Sequence, residues 1–230
     1  MTTPEASVAA ANPPAHFRRG ARPVRHQQRR CDTVVRLAEG LTGDALDYGA
    51  GWGDLTDRLA PQFRRIVGVD ADPVRSAYAA REFAPIEFRT CTATGTNFPD
   101  ASFDVVFSTV VLHFVPSPAA YLAECRRLLR PGGHLVVLIQ SPESMWMLAR
   151  RLRRSAPQVQ EWGGSTRAQF REFLEQSGFH PGREAGFYDP PFDRVETLGD
   201  IAISLMNTAG HALGIHGRWS YVGYCCRRMG

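Results

Sequence analysis

The chain has 230 residues, of which 43% are hydrophobic and 22% are charged, so it is long enough to bury the core of one domain. Its formal net charge is +4 at pH 7, and all 27 basic residues are arginine. The lack of lysine excludes Schiff-base chemistry, a catalytic lysine base and a Walker-type phosphate loop. No stretch approaches the roughly 18 consecutive apolar residues that a membrane span requires.

The cysteines and the first residues indicate a reducing compartment. The five cysteines are odd in number and lack paired metal-ligand spacing. Cys225 and Cys226 lie in an apolar run and are interpreted as buried thiols. No apolar secretory segment occurs near residue 1, so a cytoplasmic location is expected.

Residues 1–26 contain Pro, Ala, Asn and Arg without periodicity and are predicted to form a flexible basic arm. A helix is predicted over about 27–41. Arginines cluster across this junction, namely Arg18, Arg19, Arg22, Arg25, Arg29 and Arg30. Two interpretations stay open: a solvated charged segment, or a set of side chains that binds an anionic group of a ligand or a membrane surface.

A glycine-rich turn follows the first predicted strand. Residues 45–48 form an apolar run that begins the pattern Asp47-x-Gly49-x-Gly51-x-Gly53, and a helix is predicted over 54–61. A strand, a glycine turn and a helix N-terminus together hold nucleotide-like ligands, because bare backbone allows close approach. A dinucleotide fingerprint needs a third glycine where Asp54 stands, so this turn differs from that fingerprint.

Asp70 ends a second predicted strand, over 65–70, about 20 residues beyond the glycine turn. A carboxylate at this place can accept hydrogen bonds from both hydroxyls of a ribose. The alternative is that Asp70 caps the next predicted helix, over 73–82.

Strand and helix patterns continue to alternate along the chain. Further strands are predicted over 85–90, from 103 onward, 134–139, 183–188 and 220–227, and helices over 119–130 and 166–176. This alternation predicts a parallel, doubly wound sheet.

Three features together resemble the class I S-adenosylmethionine-dependent methyltransferases: the acid-led glycine turn, Val69-Asp70, and residues 103–139 with Leu112-His113 and Arg130-Pro131-Gly132-Gly133. Within that family the block is similar to type 11, ubiquinone/menaquinone-biosynthesis-like enzymes. The resemblance covers about residues 45–139. It implies a Rossmann-like, seven-stranded, mostly parallel sheet with helices on both faces and an antiparallel last strand. Residues 27–230 are then the methyltransferase domain, with segments at about 142–162 and 193–218 that cover the active site.

The resemblance also implies S-adenosyl-L-methionine as the cofactor and a set of residues that bind it. These residues are Asp47, Tyr48, Gly49, Gly51, Trp52, Gly53, Asp70, Ala71, Thr92, Ala93 and Ser108. One anion for the arginine cluster is then the carboxylate of the cofactor's methionine half.

Two positions depart from the family pattern. Thr92 stands where relatives usually carry an Asp that binds the adenine amino group, and a hydroxyl brings no charge to that contact. Trp52 stands where the family often has Thr. Trp52 and Tyr48 either contact the cationic sulfonium through their π faces or pack under the turn.

The predicted reaction is in-line methyl transfer to a small apolar molecule of the lipid, quinone or phenol kind. The protein then supplies orientation, an apolar site and, for some acceptors, a base. His113 follows the fourth strand and is the candidate base for a hydroxyl acceptor, although a packed histidine is the alternative. His211 and His216 do not have a spacing that specifies a metal, so no metal is predicted.

Other interpretations concern the later segments and the use of the fold. Residues 145–154 can form an amphipathic helix that serves as a lid, packs on the sheet, or touches an anionic membrane peripherally. Asp189-Pro190-Pro191-Phe192 matches a motif of enzymes that methylate base amino groups, but it follows the wrong strand, so nucleic acid is not the expected partner. The main alternative is a methyltransferase fold that uses its cofactor for another reaction or for binding only.

Overall fold

The computed structural model of the chain describes residues 25–141, 144, 166–187 and 219–230. Along these residues helices and strands mostly alternate, with a short 3-10 turn at Ala60–Gln62 and no helix between the strands Glu87–Thr90 and Phe103–Thr109. The helices are α1 (Arg25–Leu37), α2 (Asp54–Leu59), α3 (Pro73–Glu82), α4 (Pro118–Leu128) and α5 (Arg167–Gln176). The strands are β1 (Asp44–Tyr48), β2 (Arg65–Asp70), β3 (Glu87–Thr90), β4 (Phe103–Thr109), β5 (Leu129–Gln140), β6 (Phe179–Phe187) and β7 (Tyr221–Arg228).

The seven strands form one sheet in the order β3-β2-β1-β4-β5-β7-β6. The first five strands pair in parallel, and β7 runs antiparallel between β5 and β6. The strand order reverses between β1 and β4, where Asp47 lies beside Gly68 on β2 and Phe107 on β4. The predicted fold class is therefore confirmed, including the antiparallel last strand.

Both faces of the sheet are covered by helices. Leu46 and Val106 pack toward the face that carries α4 and α5, where Leu122, Leu128, Phe170 and Leu174 are buried. Val105 and Phe107 pack toward the face that carries α1 and α2, where Val34, Leu37, Leu55 and Leu59 are buried. Near-continuous apolar sequence in the central strands follows from this two-sided burial.

Some element boundaries differ from the predicted ones. Helix α1 begins two residues earlier than expected, inside the predicted arm, and ends at Leu37 before a turn that reaches Gly40 in the left-handed region. Helix α4 ends at Leu128 because Leu129 is extended and pairs with Phe103 on β4. Strand β5 is therefore longer at its start than the apolar run 134–139 indicated.

Several sequence predictions fall outside the described residues. These are the arm over residues 1–24, most of the two cover segments, the amphipathic helix at 145–154, the Asp189–Phe192 motif and the two histidines His211 and His216. None of the described helices combines the length and apolar character needed to cross a membrane. Among the same residues, no group of three or more His, Cys, Asp or Glu side chains is arranged to hold a metal ion. Cys225 and Cys226 are both buried and unbridged.

Candidate cofactor-binding site

A cavity of about 730 Å³ lies at the carboxyl ends of β1 to β4, where the strand order reverses. Open α/β sheets bind their ligands at this place, and the volume lies within the range of small-molecule sites. The lining residues come from α1, the glycine turn, the ends of β2 and β3, and the segment after β4. They are Arg30, Asp47, Tyr48, Gly49, Ala50, Gly51, Trp52, Asp54, Leu55, Asp70, Ala71, Asp72, Arg75, Cys91, Thr92, Ala93, Thr109, Val110, Val111, Phe114, Val115, Pro116 and Tyr121.

The glycine turn places bare backbone on the cavity. Gly49 and Gly51 have φ angles of 94° and 57°, in the region that side chains rarely adopt. A Cβ on Gly49 would lie 2.2 Å from the Val111 Cγ2 atom, whereas a Cβ on Gly51 would meet no atom within 4 Å. Packing therefore requires the first glycine, and the second leaves backbone open to a ligand.

Asp70 lies at the end of β2 with its carboxylate against this turn. Its Oδ2 atom accepts the Gly51 N–H at 2.8 Å, and its Oδ1 atom accepts the Asp72 N–H at 2.9 Å. The cap of α3 is Asp72 instead, whose side chain accepts the N–H groups of Val74 and Arg75. The alternative role of Asp70 as that cap is thus excluded. Each of its oxygens keeps acceptor capacity at the cavity wall.

Asp47 forms the floor of the cavity and is 1% exposed. Its Oδ2 atom accepts the Thr56 hydroxyl at 2.6 Å, and its Oδ1 atom has no hydrogen-bond partner among the described residues. Burial raises the pKa of Asp47 to about 7; the hydrogen bond from Thr56 opposes the increase, and the nearby charge of Asp54 adds to it. The protonated form of this carboxyl group is therefore well populated at neutral pH.

Two further buried polar atoms on the cavity lining are unpaired among the described residues. They are the Nε atom of Arg30 and the Oγ1 atom of Thr109. Arg30 uses another nitrogen, 3.3 Å from the Asp54 carboxylate, to which Gln27 also donates. A buried polar atom without a partner costs about 1–3 kcal/mol. Three residues of the cavity lining, Asp47, Arg30 and Thr109, thus each carry a buried polar atom without a partner among the described residues.

Two tyrosines form a wall beside the glycine turn. Their ring centroids lie 4.6 Å apart, and the Tyr121 hydroxyl donates to the Tyr48 carbonyl at 3.0 Å. The Tyr48 hydroxyl donates to the Thr92 carbonyl at 3.2 Å, which fixes the loop after β3. Burial raises the pKa of both phenols, so they stay neutral donors. Ser108 lies behind this wall, 3.1 Å from the Tyr121 hydroxyl and outside the cavity lining.

Trp52 lines the cavity and also packs on α3. Its ring meets Tyr78 edge-on at 5.4 Å and 83°, and the Arg75 guanidinium lies 5.9 Å from its centroid. Packing under the turn is therefore present, while a π contact with a ligand stays a prediction. Gly53 lies behind the turn, since a Cβ there would come within 3.0 Å of Ala79 and Phe83.

The segment after β4 gives the cavity an apolar side. Val110, Val111, Val115 and Pro116 line it, and Phe114 is 81% exposed. Val110 has a φ angle of 61°, which is a rare conformation for a β-branched residue. Such strain persists where the surroundings enforce it, and it clusters at functional sites.

His113 lies apart from the cavity lining. Its Nε2 atom accepts the Gln140 N–H at 3.1 Å, its Nδ1 atom has no partner among the described residues, and burial lowers its pKa. The Nε2 lone pair that a base would use is therefore engaged with backbone. The base role of His113 stays a prediction, and this geometry favours the packed alternative.

Most of the predicted cofactor residues converge on this cavity: Asp47, Tyr48, Gly49, Gly51, Trp52, Asp70, Ala71, Thr92 and Ala93 line it. The range 108–114, which the sequence also places around the ligand, includes Thr109 of the lining. Sequence reasoning missed Tyr121. Tyr121 carried no signal, because an aromatic residue in an apolar helix face is ordinary core.

The fold and the site define a nucleotide-binding α/β protein of the Rossmann-like kind. A family model described as a methyltransferase domain matches residues 46–137. A ubiquinone biosynthesis O-methyltransferase of Cereibacter sphaeroides is 30% identical over 171 residues, which cover 70% of this chain and 69% of that protein. The enzyme of the same name from Roseobacter denitrificans is 34% identical over 64% of this chain and 63% of its own length. The chain belongs to the class I S-adenosylmethionine-dependent methyltransferase family, and S-adenosylmethionine is its cofactor.

Solved structures with lower identity share the fold. A putative methyltransferase of Haloferax volcanii, solved in complex with a methyltransferase activator, has a TM-score of 0.67 and 17% identity over 90% of this chain and 91% of its own. The [4+2]-cyclase SpnF has a TM-score of 0.63 and 20% identity over 97% of this chain and 91% of its own.

Proposed function

We propose that this protein transfers the methyl group of S-adenosylmethionine to a small, largely apolar acceptor of the lipid, quinone or phenol kind. The observation that carries the cofactor half of the proposal is that three residues lining one cavity, Asp47, Arg30 and Thr109, each have a buried polar atom without a partner among the described residues. The cofactor's methionine half presents an ammonium and a carboxylate, which complement the first two. Its sulfonium supplies an electrophilic methyl group when bound.

Each lining group then has a separate task toward the cofactor. Asp70 receives the ribose hydroxyls with the acceptor capacity that its contacts to Gly51 and Asp72 leave free. The open backbone at Gly51 allows close approach. Thr92 and Ala93, after β3, face the purine.

The acceptor half of the proposal rests on the apolar side of the cavity. Val110, Val111 and Val115 line it, and Phe114 stands exposed at the same segment. Apolar walls with few polar groups are the usual lining of small-molecule sites. The match to relatives named for O-methylation in ubiquinone biosynthesis supports a phenol-like or quinone-like acceptor.

The test has a binding step and a transfer step. Calorimetry with S-adenosylmethionine and with S-adenosylhomocysteine measures the dissociation constants of the wild type and of Asp70→Asn. We expect the variant to bind at least tenfold more weakly, because an amide oxygen replaces a charged acceptor. Incubation with methyl-labelled cofactor and a panel of quinols, catechols and fatty acids then measures transfer. Failure of both nucleotides to bind at near-millimolar concentration contradicts the proposal.

A second candidate function is use of the cofactor for another reaction or for binding only. Its support is that no histidine lines the cavity among the described residues, together with the likeness of the fold to a cyclase. The two candidates separate in the same assay. Retained nucleotide binding with no labelled product from any acceptor, including those that need no base, favours this second candidate.

The location and partners complete the proposal. We infer a cytoplasmic protein, in keeping with its five unbridged cysteines. We also infer that it acts on a small molecule rather than on nucleic acid, because its candidate site is a cavity of about 730 Å³. Peripheral contact with an anionic membrane through the arginine-rich segments stays a prediction, which sedimentation with anionic vesicles tests.

A further inference from the structure

The Asp47 carboxyl group is buried with an incomplete set of partners. It is 1% exposed, its Oδ2 atom accepts one neutral hydroxyl from Thr56, and its Oδ1 atom accepts nothing from the described residues. An ionised carboxylate in this position lacks the paired cation or multiple N–H donors that normally stabilise a buried charge.

The charges that face Asp47 do not supply that cation. From α1 comes Arg30, whose guanidinium lies 3.3 Å from Asp54 on α2 and is shared with that carboxylate. From β2 comes Asp70, a second acid. From β4 and α4 come neutral groups, the Thr109 hydroxyl and the Tyr121 phenol. The charged groups that act on Asp47 are thus two acids and one cation, so ionised Asp47 adds a third negative charge to that group. The other cation of the lining, Arg75, pairs with Asp72 at 3.3 Å.

We propose that Asp47 carries a proton in the free protein and releases it to solvent when the ammonium-bearing end of the cofactor binds. The step breaks one O–H bond on Asp47, and the buffer takes up the proton. The ligand ammonium keeps its own protons and becomes the missing counter-charge. The inference rests on the proposed cofactor site and goes beyond it, since it makes occupancy of that site depend on pH.

Burial raises the pKa of Asp47 to about 7, so the protonated form is well populated at neutral pH. Opposite charge at contact distance favours the ionised form of a carboxyl. Binding therefore lowers the pKa of this group, and a group whose pKa falls on binding releases a proton.

The size of the effect follows from linkage. With a free-state pKa of about 7 and a bound-state value well below 6, the dissociation constant is about tenfold larger at pH 6 than at pH 8. Under the same conditions about 0.9 proton is released per ligand at pH 6 and about 0.1 at pH 8.

The test is calorimetry of the full chain with S-adenosylhomocysteine, which keeps the ammonium and is chemically stable. Titrations at pH 6, 7 and 8, each in two buffers of different ionisation enthalpy, count the protons released. We expect the wild type to follow the numbers above and Asp47→Asn to release no protons and bind with a pH-independent constant. Asp57→Asn, which changes a carboxyl on the same helix as Thr56 but outside the cavity lining, is the matched control and should behave as the wild type.

The outcomes separate this inference from the proposed function. Binding by the wild type with no proton release and no pH dependence overturns the inference and leaves the cofactor assignment intact. Loss of binding by the wild type at every pH overturns both. If Asp47→Asn does not fold, the ¹³C shift of the Asp47 carboxyl in the wild type decides, because a carboxyl already ionised at pH 6 without ligand contradicts the inference.

Discussion

The polar groups at the two ends of the central strands differ in whether they have partners within the protein. At the amino ends, Asp44 and Asp104 are held by arginines: Arg64 binds Asp44 at 2.6 Å, and Arg130 binds both acids at 3.1 and 2.5 Å. The Asp44 N–H also donates to Asp104 at 2.8 Å. At the carboxyl ends, buried atoms of Asp47, Arg30 and Thr109 lack partners among the described residues.

This contrast separates the end of the sheet whose charges are paired within the protein from the end that faces the cavity. At the amino ends, the acidic side chains form ion pairs with arginines that are partly exposed to solvent. Such pairs are worth about 0–1 kcal/mol each. At the carboxyl ends, the residues around the cavity include those with buried polar atoms that lack a partner among the described residues. They also include glycines in the left-handed region and the strained Val110. Substitutions at the carboxyl ends should therefore change cofactor affinity, and substitutions at the amino ends should not.

The largest effect is expected from Asp47→Asn at alkaline pH. The pKa of Asp47 rises from 3.8 to about 7 on folding, so its contribution to stability is fully present below pH 3.8 and is lost as the pH rises through 7. The asparagine variant has no such loss. Its free energy of unfolding relative to wild type should increase by about 3 kcal/mol between pH 5 and pH 8, as measured by urea unfolding. Parallel pH profiles for the two proteins would contradict this account.

Gly49→Ala and Gly51→Ala form a matched pair at the turn. The first places a Cβ 2.2 Å from the Val111 side chain in a left-handed conformation, so we expect a loss of about 2–3 kcal/mol of stability. The second meets no atom within 4 Å and should cost about 1 kcal/mol, yet it should weaken cofactor binding strongly, because the methyl group occupies the ligand's side of the turn. Thermal unfolding measures the loss of stability, and calorimetry measures the loss of cofactor affinity. If the ratio of affinity loss to stability loss is the same in both variants, the distinction between the two glycines is wrong.

Thr92→Asp should sharpen purine selection. In the proposed purine contact, the Thr92 hydroxyl could donate or accept and so accommodate a 6-amino or a 6-oxo purine, whereas a carboxylate only accepts. We expect the variant to increase the preference for S-adenosylhomocysteine over S-inosylhomocysteine about tenfold, or about 1.4 kcal/mol. Competition binding measures this ratio. An unchanged ratio would remove Thr92 from the purine contact.

Arg130→Gln should have the smallest effect, and it tests the amino ends of the strands. Arg130 is 37% exposed and pairs with Asp104 and Asp44, so its loss should cost about 1 kcal/mol or less. Cofactor affinity should stay within twofold of wild type, because the residue lies at the far end of the strands. A tenfold loss of affinity without unfolding would show that the amino and carboxyl ends of the strands are coupled.

The sequence predicted the fold and the backbone of the site because those depend on local patterns. Alternating strands and helices, the acid-led glycine turn and the acid after β2 each have a fixed spacing that chain geometry imposes. The Asp70 contact with Gly51 at 2.8 Å follows from that spacing.

Features that depend on long-range packing were not predictable from the sequence. The contact between Gly49 and Val111 joins residues 62 positions apart, and nothing local in either segment indicates it. The engagement of His113 by the Gln140 N–H arises from the way the loop after β4 lies on β5. The lack of a partner for the Asp47 Oδ1 atom among the described residues was not predictable either, because it depends on every element that packs around this side chain.

The central claim is that the cavity at the carboxyl ends of β1 to β4 is the cofactor site. A crystal structure of the chain with S-adenosylhomocysteine tests this claim most directly. The account predicts the nucleotide in the cavity after β1 to β4, with ribose hydroxyls within hydrogen-bond distance of Asp70, the ammonium at Asp47 and the carboxylate at Arg30. A nucleotide bound elsewhere, or bound in this cavity with Asp47 and Asp70 both out of contact, would contradict it.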